Sequence, residues 1–197
     1  VRYARHHPDQ VAEWMTYVSS QQAVVEKADS DFADVPSLSN PPLEGMDKVE
    51  RQLQDVFRTF GHHGTSDELT QRVDELVKRA ASFHETVQDQ EDFTDDERRL
   101  ARMHLLKTHF LAAKMGSRES VTAFDALSLE LVRHSRFPAD AAEAASLRLL
   151  KEHEFHSPDV RGLIEELKQF VATYPESPIG VQLFSATSYE LWRNGLD

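Results

Sequence analysis

Ten histidines and 34 acidic side chains in a chain of 197 residues raise the question of a metal site. Spacing argues against one. A catalytic zinc takes about three protein ligands, and a single helix commonly offers two of them as H-E-x-x-H. That string does not occur, nor does the Glu-x-x-His of paired di-iron bundles. His104 and His109 are five residues apart, which places them near opposite faces of a helix. His62 and His63 are adjacent between two glycines, a turn that could chelate loosely with two ligands only. A His-dependent metalloenzyme centred in the N-terminal half is thus an alternative short of ligands, and no cofactor is expected. The run from Glu85 to Glu97 carries seven carboxylates and no base. It lacks the alternating Asp/Asn and the turn glycine of a calcium loop, and it reads as a solvated helix–helix junction. There is no G-x-S-x-G elbow and no phosphate-binding or dinucleotide glycine motif. The absence of cysteine removes disulfides, cysteine zinc sites and thiol catalysis together. No catalytic residue is expected.

Net charge bears on the partner. Thirty-four acidic against 22 basic side chains leave a formal charge of -12. Such a surface repels a nucleic-acid backbone, and no Lys/Arg cluster long enough to offset it is present. No apolar run approaches the ~18 residues of a membrane span, so no membrane insertion is expected. The chain begins at Val1 and stops at "LWRNGLD". Both ends look cut, which suggests a processed protein or a piece of a longer polypeptide. The compartment, cytoplasmic or exported after processing, stays open.

The periodicity that must position any site is helical nearly throughout. The spacing predicts about eight helices and no strand. The first runs over 8–28, with Val11, Trp14, Met15 and Val18 on one stripe. A Ser-, Asp- and Pro-rich stretch over 29–45 reads as one long loop. A second helix covers 46–60 and ends at "GHHG", and a third opens on the capping box Thr65–Glu68. A second capping box, Thr94–Glu97, opens the fourth helix, which Gly116 stops. The fifth covers 118–134 and the sixth 139–154. Ser157-Pro158-Asp159 and Ser177-Pro178 start the seventh and the eighth, the latter reaching 194 with Phe184, Leu191 and Trp192 on its apolar side.

A repeat organises the second half. Laid on Phe137–His153, the stretch Phe93–His109 shows seven identities in seventeen positions, among them Leu105, Leu106, Lys107 and His109 on Leu149, Leu150, Lys151 and His153. The following helix aligns as well, with Val121 on Ile164 and Phe124 on Leu167. Two helical hairpins of roughly 40 residues are written in one pattern, the size range of helical solenoids. A third start follows at "TYPESP", Tyr174–Pro178. A hairpin of this kind buries its apolar face by stacking on neighbours. The division is therefore an N-terminal helical region over 1–92 and a repeat region over 93–197, packed as one continuous array.

The segment "TYPESPIGVQLFSATSYELW" resembles the boundary between two tetratricopeptide-like repeats, where a Tyr-Pro-x-Ser-Pro link separates hairpins. Ser185 and Ala186 beside Phe184 are similar to the small residues that let the first helix of such a hairpin approach its neighbour. The resemblance covers 94–197, with units longer than the family's 34 residues. It implies stacked antiparallel hairpins in a right-handed α-superhelix, whose concave side holds a protein or peptide partner on the first helix of each hairpin. On that concave ladder the repeat offsets place Arg102, His109, Ser146, His153 and Glu190. The recurrence of His109 as His153 itself favours packing across the helix pair over partner contact. The expected role is a non-catalytic scaffold or adaptor module. The rival is a helical domain of a longer multidomain enzyme, associating through the helix at 178–194.

Overall fold

The computed structural model describes residues 41–60, 67–155 and 160–180, together with Leu183. Six helices are bounded there: α1 Pro42–Phe60, α2 Asp67–Asp89, α3 Asp95–Lys114, α4 Arg118–His134, α5 Pro138–Phe155 and α6 Val160–Thr173. Residues 178–180 open a further helical segment. No strand occurs among the described residues, and the fold is all-α. The expected helix at 8–28, the loop over 29–40, the His62–His63 turn, the Thr65 cap, the Ser157–Asp159 start and the face around Phe184, Leu191 and Trp192 lie outside the described residues.

Local chemistry sets the ends of the central helix. The Thr94 hydroxyl accepts from the Glu97 backbone N–H, and the Glu97 carboxylate accepts from the Thr94 N–H at 2.8 Å. These bonds satisfy orphan donors at the start of α3. They also hold the Glu97 carboxyl below the usual carboxylate range, the backbone bond from Thr94 being the main cause. At the other end Gly116 has φ 90°, a left-handed conformation that favours glycine. Ser117 N–H donates to Ala112 O at 3.0 Å and Gly116 N–H to Ala113 O at 3.1 Å, which is the Schellman pair. Ser117 then caps α4 by accepting from Ser120 N–H. Since one residue closes α3 and the next opens α4, the two helices must fold back as a hairpin.

The apolar stripes pack as their period dictates. Met46, Val49, Leu53 and Val56 of α1 are fully buried, as are Val73, Leu76, Ala80 and Val87 of α2. One cluster of buried side chains runs from Val49 in α1 through Leu106 in α3 and Phe124 in α4 to Ala144 in α5. A second joins Ala142 and Leu149 of α5 to Leu167 and Phe170 of α6 and to Leu183. Each helix touches the next in sequence. In addition α1 touches α3, and α3 touches α5. The contact of α3 with α5 is much the smaller of these two.

The expected loop over 29–45 runs too far. Helix α1 begins at Pro42, and Gly45 lies inside it. Gly45 is there for a helix crossing: a Cβ at this position would overlap the Phe83 ring of α2. Phe83 is 1% exposed and has nowhere to retreat. On an exposed helix Gly→Ala gains up to about 1 kcal/mol. Here the sign is expected to reverse. Gly45→Ala should lose about 1–3 kcal/mol through overpacking, read as a lower urea midpoint. An unchanged or higher midpoint would show that this crossing is not close.

Candidate functional site

Helix α3 lies among four others and sends a charged or polar side chain to three of them. His104 Nδ1 sits 2.7 Å from Glu50 Oε2 on α1. Glu50 is 9% exposed and also accepts from Gln54 Nε2 at 3.0 Å. Lys107 Nζ lies 2.7 Å from Glu143 Oε1 on α5. Burial works against the Lys107 charge, but the Glu143 bond and the nearby charges of Glu143 and Glu50 outweigh it and raise its pKa above the ordinary lysine value. Two polar pairs, Glu50–His104 and Lys107–Glu143, therefore link α1, α3 and α5. Leu100, 48% exposed, stands one helical step before His104 on the same side. Lys114 continues that side two turns beyond Lys107, with its ammonium 4.2 Å from the centre of the Phe57 ring of α1.

The opposite side of α3 faces α2 and α4. Arg102 Nη1 is 3.6 Å from Glu130 Oε1 of α4. His109 Nδ1 is 3.3 Å from Ser120 Oγ of α4. Burial pushes the His84 pKa of α2 down, and the Arg102 charge pushes it further. Burial also lowers that of His109, with His84 adding to the effect. His84 Nε2 is buried with no hydrogen-bond partner among the described residues. Both rings are therefore harder to protonate than a free imidazole.

A pH dependence follows from these two rings. Unfolded histidine titrates near pH 6.5, above both folded values. As pH falls through that window the unfolded chain takes up more protons than the folded one, so stability falls with pH. Between pH 7.5 and 5.5 the melting temperature of the wild type is expected to drop more than that of His84→Phe, which keeps the bulk and removes the proton site. Parallel curves for the two proteins would contradict this.

Of the ladder expected from the repeat, Arg102, His109 and Ser146 lie among the described residues. Arg102 and His109 both turn towards α4, Arg102 at the cleft and 42% exposed, His109 bonded to Ser120. Ser146 is 3% exposed, and its hydroxyl donates to Glu143 O at 2.7 Å. The His153 side chain and Glu190 lie outside the described residues. His109 does bond across the helix pair, as its recurrence suggests, and His104 and His109 do point to different neighbours. The side shared by alternate helices carries Glu50, His104, Lys107 and Glu143 instead. The signal that could have found them is the i, i+4, i+7 spacing of Leu100, His104 and Lys107, which share a stripe only partly covered.

Two concavities flank this framework. A cleft of about 370 Å³ opens where the first turns of α3 and α5 meet the end of α4, with Arg98, Arg99, Arg102 and Arg136 in its wall. An apolar groove of about 440 Å³ lies between the start of α5 and the link to the 178–180 segment, lined by Pro138, Ala142, Tyr174, Pro175 and Ile179. No trio of His, Asp or Glu placed to hold a metal ion occurs among the described residues. No helix there is long and apolar enough to cross a membrane. Compared with family models, with curated proteins and with solved structures, the chain finds no match in any of the three.

Proposed function

We propose that this chain is a helical-repeat binding module that holds a protein or peptide on the shared side of α1, α3 and α5. The observation that carries the reading is the side-by-side contact of alternate helices. Such contact turns one stripe per helix into a continuous surface, the arrangement by which stacked hairpins offer a binding face. That surface carries an exposed apolar side chain, Leu100, the partly exposed charges of Lys107 and Glu143, and the His104 ring beside them. Apolar anchors rimmed by polar groups are the composition of a binding surface. The tetratricopeptide-like resemblance of 94–197 supports the same reading by analogy of fold.

The test is photo-crosslinking in the native source. A benzophenone amino acid at Leu100 is expected to give one discrete adduct above the 22.5 kDa of the chain. The same group at Glu119, exposed near the start of α4, is expected to give none. Equal labelling from both positions, or none from Leu100, would contradict the proposal.

A further inference from the structure

The acidic chain gathers four arginines at one cleft, and two of them have donors to spare. Arg99 is spent: its Nε and Nη2 lie 2.6 and 2.8 Å from the two oxygens of Asp140. Arg98 Nη2 donates to Gln90 O at 2.8 Å. Arg102 is only loosely engaged, since 3.6 Å to Glu130 exceeds a charge-assisted hydrogen bond of about 2.7–2.9 Å. Arg136 is exposed and has no ion-pair partner among the described residues. Of the three carboxylates in the wall, Asp140 is consumed by Arg99, and Asp95 is fully exposed at the rim. Four guanidiniums against three carboxylates leave the wall one positive charge in excess, on a chain of charge -12.

An apolar shelf completes the cleft. The Phe137 ring has the Arg99 guanidinium 4.2 Å from its centre, yet Phe137 remains 43% exposed. The Arg99–Asp140 fork thus fixes the shelf beside the unspent arginines. A guanidinium matches the planar carboxylate in two-point fashion. A phosphate dianion would meet the Glu130 and Asp140 charges more strongly than a single carboxylate does. The volume suits one or two side chains and not a whole helix.

From this geometry we infer that the cleft binds an acidic peptide segment: one Asp or Glu carboxylate seats between Arg102 and Arg136, and an adjacent apolar residue rests on Phe137. This deepens the binding-module reading and rests on it. It adds the chemistry of the partner and a second point of attachment, where the ends of α3, α4 and α5 meet.

The test is an NMR titration of the full chain, following arginine Nε–H and backbone signals. The probe is a capped peptide of alternating glutamate and leucine, with the glutamine version as its control. Saturable shifts at Arg102, Arg136 and Phe137 are expected from the acidic peptide alone. Arg136→Ala, on an exposed side chain, should keep the wild-type melting temperature and weaken binding about tenfold, the loss of a hydrogen bond to a charged group. Arg102→Gln should act in the same direction. Equal binding of the glutamine peptide, an Arg136→Ala affinity equal to wild type, or shifts from inorganic phosphate but not from the peptide would each overturn the assignment. Crosslinking from Leu100 is independent of both arginines. If it persists while the titration fails, the acidic-ligand inference alone falls.

Discussion

Phe124→Ala is expected to destabilise the chain by about 3–5 kcal/mol, the range for truncating a large buried aromatic. Phe124 is 0% exposed in α4, with its ring centre 5.6 Å from that of Phe110 on α3 at a tilted angle. The Lys151 ammonium of α5 lies 5.3 Å from the ring and 2.6 Å from Asp125 Oδ1. One side chain therefore joins three helices. Its removal opens a cavity that α3 cannot close, because that helix is fixed by its cap, by Gly116 and by its neighbours. Domains of this size commonly hold about 5–15 kcal/mol in all, so the loss is a large fraction of the whole. Phe124→Leu keeps most of the volume and should cost about 1 kcal/mol. Urea denaturation followed by circular dichroism reads both. A shift of less than about 1 kcal/mol for Phe124→Ala would mean that α4 does not pack on α3 as described.

The second large effect is an asymmetry within one ion pair. Asp140 and Arg99 form a two-point bond across α5 and α3, but the Asp140 side chain is 6% exposed and that of Arg99 is 35% exposed. Removing a partner from a buried pair costs most when the group left behind cannot reach water. Arg99→Leu strands the covered carboxylate and is expected to lose about 2–3 kcal/mol. The figure lies below the full penalty because Asp140 sits in the first turn of α5, where the helix dipole favours a negative charge. Asp140→Leu leaves an arginine that can swing into solvent, at a cost of about 1 kcal/mol. The double variant should fall short of the sum, since each change removes the same bond. Equal losses for the two single variants would show that Asp140 is open to water.

The elements of this fold were legible where a local rule decides them. Val49, Leu53 and Val56 share a stripe by spacing alone, and Thr94 with Glu97 names its capping box in four residues. Gly116 marks a helix end because no other residue type is as easily left-handed. Gly45 could not be read that way. Its reason is a phenylalanine 38 positions later, and in a stretch rich in proline and serine a glycine reads as loop.

The site was harder for a related reason. Periodicity gives the spacing of α3 but not its rotation among its neighbours. Ala101, Met103, Leu106, Thr108 and Phe110 through Ala113 are all buried, so the buried surface wraps most of its circumference. A helix covered on most sides has no strong polar stripe to mark its outer edge. The repeat therefore placed Arg102 and His109 on the helix, but could not show that both turn towards α4. Nor do equal repeat positions mean equal surroundings. Asp140 is buried under Arg99, while its counterpart Asp96 is 85% exposed. The arginine cleft was invisible for the same cause, since its wall is drawn from four helices and Arg136 lies 38 residues from Arg98.

A binding face built from α1, α3 and α5 exists only if these helices hold together as one body. Native-state hydrogen exchange tests that directly. Amides of α3 between Leu106 and Ala113 are expected to exchange slowest, through global unfolding. Buried amides of α1 near Leu53 and of α5 near Ala144 are expected to share that opening free energy. A separate opening of α1 and α2, well below the free energy of α3 to α5 and with its boundary near residue 93, would contradict a single continuous face.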